Sequence, residues 1–563
     1  MKTAPFVELR SLAFALTLLA SVQALATNFY ISPAGSDAND GTAPKKAWRT
    51  VGRVNRATLA PGDRVLLEGG HRLAGNLLVT ASGTPDAPIA ITSYGKGPAT
   101  IQAGDSYGIR LLNCQHIEVR DLVLLGSGVK ADGRTTNTAQ GLDIFSSATT
   151  GKPWQDIRAN GLVVSGFRDG IVLHTPIGTQ DVVGYNDVRI THCTTRECLF
   201  GGIYCWGAKK TSGPPWNLPL GNGLFTNVYI GNCLVERIYC DPVGDPFLGL
   251  PIQVLNATNC LVEHCTIRDC GQTANPRGSQ GGIGGLVFLE CHKCAAQFNE
   301  CHHMVTTIGC DGCAFDTDGG CTCCTLQYNY SHDNEGSGFQ AGPFAGCSPF
   351  AENTIRYNIS ENDAQKNPGN TGGIMTWGSQ PRGQIYNNTV FVGKGFAGKG
   401  KVAKPFAFRG GAGFSVRNNI FVASHDGEFL APSDCSFQNN CYWRTNGDLH
   451  MAGYASLDAW RKKSGQEMLN GTAVGFQVDP RLRAAGRGGN IDKPANLASL
   501  CAYDLLLSSP LLGKGLDLEK LFKIAPGLCD FRGTPLRPKM QHSLGAISEP
   551  ATAPAFDTSP VNR

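Results

Sequence analysis

The chain contains 563 residues, of which 71 are glycine, 31 are proline and 22 are cysteine, and its formal net charge at pH 7 is +4. This abundance of turn-forming residues favours a β protein with one long core and argues against several compact domains. The small positive charge is a weak indication of acidic partners such as uronic-acid polymers, and it predicts no nucleic-acid partner.

The first 26 residues have the three zones of a secretory signal. Lys2 and Arg10 supply the charged zone, the run from Ser11 to Val22 is apolar, and Ala24-Leu25-Ala26 supplies the small residues. We therefore expect cleavage near Ala26 and a secreted or periplasmic mature protein. No other apolar stretch approaches the roughly 18 residues needed to span a bilayer, so we expect no membrane span.

Residues 27–98 contain two segments that carry a resemblance, Asn28-Phe-Tyr-Ile-Ser-Pro-Ala-Gly-Ser-Asp37 and Pro61-Gly-Asp-Arg-Val-Leu-Leu-Glu-Gly-Gly70. They resemble the amino-terminal part of many secreted right-handed parallel β-helix proteins of the carbohydrate-active group. That group includes pectate-lyase-like polysaccharide lyases and β-helical glycoside hydrolases. The resemblance implies an N-terminal cap and the first coils over residues 27–98, and it does not name a reaction.

Asparagines recur along the middle of the chain in similar phrases, at Asn299, Asn329, Asn358, Asn387 and Asn418, with steps of 30, 29, 29 and 31 residues. A period of this length with short strands and Gly, Asn, Asp and Ser turns indicates stacked supersecondary units. We predict an all-β parallel β-helix over residues 99–445, right-handed as the resemblance implies. Its coils would lie about 4.8 Å apart, with stacked asparagine amides inside the turns and longer loops beside a groove.

Two cysteine pairs are separated by one period, Cys291 with Cys321 and Cys294 with Cys324. Residues on adjacent coils lie within the Cα separation that a disulfide tolerates. An exported protein also meets an oxidising compartment. We therefore predict disulfides between these coils.

Three other cysteines, Cys193, Cys233 and Cys265, each follow a ladder-like position by one residue. An unpaired cysteine packs as a small hydrophobe, so an interior thiol stack is the alternative for them. The runs Cys310-Asp-Gly-Cys313 and Cys321-Thr-Cys-Cys324 also suggest zinc. Zinc knuckles place their ligands on tight turns of small domains, whereas these cysteines follow the coil period, so we disfavour zinc.

One strand face of the middle coils carries acidic side chains. Alignment of the coils on the asparagines predicts that Glu290 and Asp318 occupy equivalent positions, and strand alternation puts Asp316 and Asp318 on the same face. Trp377 is a candidate sugar platform, and Arg409 is a candidate partner for an anionic or hydroxyl-rich group. The alignment predicts two further columns, Asp316 with Thr376 and Phe408, and Thr317 with Trp377 and Arg409.

Two segments, Asp316-Thr-Asp-Gly-Gly320 and Ser331-His-Asp-Asn-Glu-Gly336, resemble a motif pair of secreted carbohydrate-active β-helix proteins. These residue types also form good turns, so a structural role for any single acid stays open. The cluster as a whole favours a functional site. The resemblance implies acidic catalytic or binding roles for Asp316, Asp318 and Glu335, with His332 and Asp333 beside them.

A glycoside hydrolase needs two carboxyl groups that flank one bond, about 5–5.5 Å apart for retention of configuration and about 6.5–9.5 Å apart for inversion. Stacked coils supply such spacings. Repulsion between two close carboxylates raises one pKa, so that this group can serve as the acid. We prefer the pair Asp318 and Glu335, and Glu290 or Asp316 is the reserve.

A polysaccharide lyase is the nearest alternative, because β-elimination on uronates needs a cation at the uronate carboxylate and a base. In this alternative Asp316, Asp318 and Asp333 bind Ca²⁺ through their oxygens, and Arg409 or His332 is the base. No lysine falls in the acidic coils, which disfavours the lyase type that uses calcium and lysine. A uronate epimerase would use similar groups.

A second alternative is a secreted carbohydrate-binding solenoid without catalysis. The sequence lacks an anchoring tail and a long regular array, and the acids cluster in two coils, so an enzyme is favoured. Phosphate-binding and dinucleotide motifs are missing in usable context, which predicts no organic cofactor. We expect a monomer whose partner is a plant- or algal-type polysaccharide.

We predict that residues 446–548 form a C-terminal capping segment, because the last coil of a solenoid needs a cover. Ser456 is the expected N-cap of a short helix with Leu457 and Trp460 on its apolar side. The Pro-, Thr- and Ala-rich residues 549–563 predict disorder. Four segments resemble the closing part of the same secreted proteins: Val478-Asp-Pro480, Ser509-Pro510, Asp530-Phe-Arg-Gly533 and Leu544-Gly-Ala-Ile547.

Overall fold

The computed structural model of the chain describes residues 26–129, 137–176, 182–207, 224–239, 249–271, 283–306, 311–366, 371–393, 403–424, 435–445, 447–537 and 542–548. Residues 1–25 of the predicted signal and the predicted disordered tail, 549–563, lie outside the described residues. No helix in the described ranges is long and apolar enough to cross a membrane.

The chain winds into coils that each contribute one strand to three parallel sheets, named sheets A, B and C. One coil places Ala295–Gln297 in sheet A, Glu300–His302 in sheet B and Cys313–Thr317 in sheet C. The next coil returns to sheet A with Thr325–Gln327, which pairs in parallel with Ala295–Gln297. The fold is a right-handed parallel β-helix, as predicted.

Within the described residues, sheet A contains fifteen strands. They are Asn28–Ile31, Arg64–Glu68, Ile89–Tyr94, Ile117–Arg120, Trp154–Asn160, Tyr185–Thr191, Phe225–Gly231, Ala257–Thr258, Leu261–Glu263, Ala295–Gln297, Thr325–Gln327, Thr354–Arg356, Gly383–Tyr386, Phe414–Arg417 and Ser436–Gln438.

Sheet B has thirteen strands in the same described part of the chain. They are Arg72–Ala74, Ala99–Gly104, Leu122–Gly126, Val163–Ser165, Thr194–Arg196, Leu234–Glu236, Thr266–Arg268, Glu300–His302, Tyr330–His332, Ile359–Glu361, Thr389–Val392, Ile420–Ala423 and Cys441–Arg444.

Sheet C has eleven strands where the chain is described. They are Leu77–Val79, Ile109–Leu112, Gln140–Phe145, Asp169–His174, Gly201–Trp206, Leu250–Leu255, Gly284–Leu289, Cys313–Thr317, Phe339–Ala341, Gly372–Trp377 and Lys404–Arg409. The remaining elements are short: the helices Val51–Val54, Leu457–Ser464 and Leu518–Phe522, the 3₁₀ turns Pro44–Lys46 and Pro494–Ser499, and a hairpin of Met468–Leu469 with Thr472–Ala473.

A ladder of buried asparagines, Asn299, Asn329, Asn358, Asn388, Asn419 and Asn440, lines the turn between sheets A and B. Each side-chain amide donates to the carbonyl oxygen of the next ladder asparagine, for example at 3.1 Å from Asn329 to Asn358 and at 3.0 Å from Asn358 to Asn388. The same amide nitrogen also donates to a backbone carbonyl, as Asn358 does to Leu326 at 2.9 Å. Each ladder amide is therefore satisfied inside the core.

The predicted ladder was wrong in its last two members. Asn387 and Asn418 lie one position earlier and have left-handed φ angles of 53° and 54°, like Tyr357 at 51°. An asparagine tolerates this conformation better than most residues, which explains why an Asn-Asn pair occupies these turns. The second asparagine of each pair, Asn388 or Asn419, carries the ladder.

The predicted thiol stack is confirmed, and it continues the ladder. The backbone N–H of Cys265 donates to the Asn299 side chain at 2.9 Å, which places Cys265 in the ladder column itself rather than one residue after it. Cys193, Cys233 and Cys265 are buried free thiols that contact one another in sequence. The column thus changes from thiols to amides between Cys265 and Asn299.

The cysteines predicted to form disulfides lie on adjacent coils at matching positions, as the pairing of His292 with Thr322 requires. In the structure, however, Cys291, Cys294, Cys321 and Cys324 are free, buried thiols. Their side chains are packed as small hydrophobic groups, and Cys291 and Cys321 donate to carbonyls of sheet C strands, those of Val254 and Phe288. Cys310, from the alternative zinc run, lies outside the described residues.

A C-terminal segment covers the outer face of sheet B. The Glu300 carboxylate accepts the backbone N–H groups of Ile491 and Asp492, both at 2.6 Å. Glu361 accepts the Tyr503 hydroxyl at 2.5 Å. The short helix predicted before this segment is present as Leu457–Ser464, and the Ser456 side chain caps it. Because the C-terminal segment lies on sheet B, the outer face of sheet C is the candidate for a substrate groove.

We predict that Asn358→Ala lowers the free energy of unfolding by about 3–5 kcal/mol, because it leaves several buried hydrogen-bonding groups without partners. Urea unfolding followed by circular dichroism measures the change. The matched control is Gln102→Ala, which removes an exposed amide and is expected to cost under about 0.5 kcal/mol. Equal losses for the two variants would contradict the structural role of the ladder.

Candidate active site

Asp316 and Asp318 lie on the outer face of sheet C. In the strand Cys313–Thr317 the buried side chains of Phe315 and Thr317 point into the core, so Asp316 between them points outward and Asp318 follows on the same side. Asp316 and Asp318 therefore share a face, as the sequence predicts.

The predicted columns around Asp316 were displaced by one residue. Asp316 pairs with Gln340, and Gln340 pairs with Met375, so Thr376 belongs to another column. The number of residues between the asparagine ladder and the following sheet C strand varies from coil to coil. Counting residues from the ladder therefore does not give the register of sheet C. The observed columns are Asp316–Gln340–Met375–Ala407 and Thr317–Ala341–Thr376–Phe408.

A second outward column contains Asp318, Gly342, Trp377 and Arg409. Trp377 pairs with Arg409, and the register places Gly342 and Asp318 on the preceding coils. The sequence alignment had placed Trp377 and Arg409 with Thr317. Asp318 and Trp377 are two coils apart, or about 10 Å at the usual strand spacing.

Trp377 lies flat against the coil that separates it from Asp318. A Cβ at Gly342 would come within 2.2 Å of the indole ring, so only glycine fits there. The indole N–H donates to the Pro343 carbonyl at 2.7 Å, which fixes the ring. Trp377 is partly exposed. A held, partly exposed indole two coils from an acid is suited to packing against a sugar ring.

The column of Asp316 also contains buried polar atoms without partners. Asp316 is 5% exposed, and one of its oxygens accepts the Gln340 amide at 2.8 Å. The other oxygen of Asp316 and the side-chain oxygens of Gln253 and Gln340 have no hydrogen-bond partner among the described residues. Buried polar groups are normally paired, so these oxygens are available to accept hydrogen bonds from water or from a ligand.

Glu290 joins the acids from the neighbouring coil, although it is not equivalent to Asp318. Its backbone N–H donates to Gly319, one position beyond Asp318. Its carboxylate lies over Gly320, where a Cβ would come within 2.1 Å of Glu290 Oε2, and it accepts the Ser348 N–H at 3.0 Å. Gly320 has a φ angle of +73° and is therefore required both for the turn and for the space.

Burial and neighbouring charges raise the pKa values of the acids in this cluster. Burial raises the pKa of Asp318 from 3.8 to about 7, with the charges of Asp311 and Glu290 acting in the same direction and the Gly319 N–H opposing them. Burial, and then the charge of Asp318, raises the pKa of Asp316 well above its ordinary value. Burial also raises the pKa of Glu290. The site therefore holds a carboxylic acid that is partly protonated near neutral pH.

Asp311 is a member of this cluster that the sequence reasoning did not select. It is partly exposed, has a left-handed φ angle of 56°, and its charge contributes to the raised pKa of both Asp316 and Asp318. The signal was present in Cys310-Asp-Gly-Cys313, which was considered only for zinc. Gln340 and Gln253 were also missed, because only the register reveals that Gln340 pairs with Asp316 and that Gln253 lies in the same column, beyond Val287.

His332 and Asp333, which the sequence placed with these acids, belong to sheet B and the turn that follows it, and Glu335 lies further along the same turn, next to Gly336, whose N–H donates to Gly312 at 3.0 Å. His332 is buried in sheet B between Glu300 at 3.3 Å and Asp333 at 2.9 Å, under the C-terminal segment. Burial opposes protonation, but hydrogen bonds to Asp333 and Glu300 raise the pKa of His332 to about 9. Glu335 lies on the turn after sheet B, where it accepts the Thr306 N–H at 2.6 Å and pairs with Lys366 at 3.1 Å.

Glu300, His302 and His332 have ligand atoms within 4.8 Å of one another, the one such group of three or more found among the described residues. The group does not fit a metal ion. The two imidazole rings are stacked nearly parallel at 4.6 Å, so their in-plane lone pairs do not converge. The Glu300 oxygens already accept two backbone N–H groups. The Ca²⁺ set proposed from the sequence, Asp316, Asp318 and Asp333, is divided between sheets C and B.

The chain is similar to known carbohydrate-active β-helix proteins. No protein-family model matches the chain. A lacto-N-biosidase of Bifidobacterium longum subsp. longum is 25% identical over 455 residues, which cover 65% of this chain. The match spans only 27% of the length of that relative.

Solved structures show the same fold. A GH136 lacto-N-biosidase from Eubacterium ramulus superposes with a TM-score of 0.50 at 21% identity, covering 69% of this chain and 67% of that chain. The complex of XylC with xylose gives a TM-score of 0.54 at 10% identity, covering 93% of this chain and 98% of that chain. The predicted resemblance to carbohydrate-active β-helix proteins is confirmed.

We predict that Asp318→Asn stabilises the protein more at pH 8 than at pH 5, by about 1–3 kcal/mol. Because the pKa of Asp318 is raised in the folded state, that state binds more protons than the unfolded chain between about pH 4 and pH 7. The wild type therefore loses stability as the pH rises through this window, and the amide does not. Urea unfolding at both pH values measures the difference, and Asp86→Asn, at an exposed position, should show none.

Proposed function

We propose that the protein is a glycoside hydrolase whose active site is the acid cluster on the outer face of sheet C. The observation that supports this most directly is Asp318, a partly exposed carboxyl with a pKa of about 7 that lies beside further carboxyls. The 25% identity to a lacto-N-biosidase supports the same reaction class. The predicted signal further suggests that the enzyme acts outside the cytoplasm.

Asp318 is the proposed general acid. A carboxyl that titrates near neutral pH can hold a proton and deliver it to the leaving glycosidic oxygen. The second carboxylate, which would attack the anomeric carbon or activate water, is proposed to be Asp316 or Asp311, since both interact with Asp318. Glu335 is engaged by Lys366 and Thr306, so we assign it a positioning role on its turn.

The substrate is proposed to be a glycan with neutral sugars at the cleaved bond. The oxygens of Gln253 and Gln340 would accept sugar hydroxyls, and Trp377 would pack against a ring face. A plant- or algal-type polysaccharide remains one candidate class. The name of the lacto-N-biosidase relative favours lacto-N-biose-bearing oligosaccharides as the first class to test.

We predict that Asp318→Asn lowers kcat by roughly 10²–10⁴-fold on a hydrolysed glycan, because this is the usual contribution of a general acid. Asp316→Asn and Asp311→Asn identify the second carboxylate by the larger loss, whereas Glu335→Gln should lose under about tenfold. Reducing ends and the absorbance of unsaturated products are recorded together, with and without a chelator. Asp86→Asn is the matched control.

Chelator-sensitive unsaturated products would overturn the hydrolase and establish a lyase. A loss in Glu335→Gln equal to that in Asp318→Asn would instead restore the pair preferred from the sequence.

We also predict that kcat/KM falls about tenfold for each pH unit above pH 7. The proton donor must be protonated, and burial places the pKa of Asp318 near 7. Initial rates between pH 5 and pH 9 measure the profile. A rate that stays constant up to pH 9 would show that another group donates the proton.

A further inference from the structure

A second polar cluster lies on the same outer face of sheet C, several coils towards the N-terminus. Asp143 is 0% exposed, and its two oxygens are bound by Arg110 Nε and His174 Nε2, both at 2.6 Å. Phe145 and Tyr107 complete the cluster. These residues are not used by the proposed reaction.

Asp143 holds the two side chains above it in fixed orientations. The bond from His174 Nε2 requires the proton on that nitrogen, which leaves Nδ1 as an acceptor in the neutral ring. Neither Nδ1 of His174 nor the terminal guanidinium nitrogens of Arg110 have a hydrogen-bond partner in the described part of the chain. Arg110 and His174 side chains are 33% and 21% exposed. The cluster thus presents fixed donors and one acceptor to solvent.

Aromatic rings flank these polar groups. The Arg110 guanidinium lies 4.5 Å from the Tyr107 ring centre and 5.9 Å from that of Phe145. Phe145 lies 4.5 Å from His174 with a tilt of 31°. Phe145 and Tyr107 are partly exposed. A ring face beside fixed donors and an acceptor matches a sugar, which has an apolar ring face and hydroxyls at its edge.

Charge favours a neutral sugar over an anionic one. The Asp143 carboxylate already neutralises Arg110 and lies directly beneath it. A carboxylate group on a ligand would therefore meet the Arg110 guanidinium, whose charge Asp143 already balances. Hydroxyl groups can bind the terminal guanidinium nitrogens without this opposition.

The strand register connects the cluster to the proposed catalytic acid. Phe145 pairs with His174, and His174 pairs with Trp206. The same column continues through Leu255 and Leu289 to Asp318. His174 and Asp318 are four coils apart, or about 19 Å at the usual spacing. A chain of several linked sugars spans this distance, and a single sugar does not.

The intervening positions are apolar. Trp206 and Leu289 are partly buried and pack on Leu255, forming a small cluster on the outer face. Sugar ring faces can lie on such a surface without leaving a buried polar group unpaired. The route from His174 to Asp318 is therefore compatible with a bound glycan chain.

We propose that Arg110, Phe145 and His174 form a distal subsite for a neutral sugar of an extended glycan whose cleaved bond lies at Asp318. This inference rests on the proposed function for the position of the cleaved bond. The subsite itself is a binding site and can be tested without catalysis.

The test measures Kd values of the full chain in an Asp318→Asn background for neutral oligosaccharides from disaccharide to hexasaccharide, both lacto-N-biose-terminated and xylan-derived. We expect hexasaccharides to bind more tightly than disaccharides. Arg110→Ala, Phe145→Ala and His174→Ala should each reduce this advantage about tenfold. Arg110→Lys, which keeps a cation beside Asp143, should reproduce the loss in a folded protein.

Arg189→Ala is the matched control. Arg189 also lies over an aromatic ring, at 5.6 Å from Tyr229, but on sheet A. It should keep the wild-type length dependence. An unchanged advantage of hexasaccharides in both Arg110→Lys and His174→Ala would overturn the subsite. Arg110-dependent binding, together with a wild-type chain that hydrolyses none of these glycans, would support the subsite and reject the proposed function for them.

Discussion

The structure depends on the hydrogen bonds that satisfy buried polar groups at the turn between sheets A and B. Each coil from Asn299 to Asn440 brings a polar turn into the core, and parallel pairing fixes the distance to the next coil. An asparagine fits because its amide has donors and acceptors for both the backbone and the neighbouring amide. Once this column is set, each coil has one register against the next, and the outer faces become regular columns.

The candidate site depends on that regularity. Asp316 and Asp318 stand close together because they alternate along one strand, and neighbouring coils confine them from both sides. No strained backbone is needed to raise their pKa, since burial and mutual repulsion act together. The β-helix fixes the distances between side chains on neighbouring coils, and the few side chains that differ between coils determine the chemistry of the site.

The sequence predicted the parts of the structure that follow from period and alternation. The β-helix, the common face of Asp316 and Asp318, the thiol stack and the helix after Ser456 depend on local patterns. The register of sheet C was wrong by one residue, because an Asn-Asn pair offers two candidates for the ladder and the turns before sheet C vary in length. Asp311 was hidden in a cysteine-rich run.

Long-range packing explains the remaining differences. His332 and Asp333 are adjacent in sequence to Glu335, yet His332 is covered by a segment about 150 residues later in the chain, which no local pattern predicts. The unpaired oxygens of Gln253 and Gln340 depend on three coils at once. Such features emerge only when the register is known.

The asparagine ladder also gives the solenoid a direction. Each hydrogen bond between two ladder side chains runs from an amide to the carbonyl oxygen of the next asparagine towards the C-terminus, so the side-chain dipoles align and reinforce one another. The last amide, of Asn440, donates to Glu467 at 2.8 Å, and the Tyr442 hydroxyl donates to the same carboxylate. The Glu467 carboxyl therefore lies at the positive pole of the series, and burial raises its pKa to about 7. Glu467 therefore closes the hydrogen-bonded column of side chains at its C-terminal end.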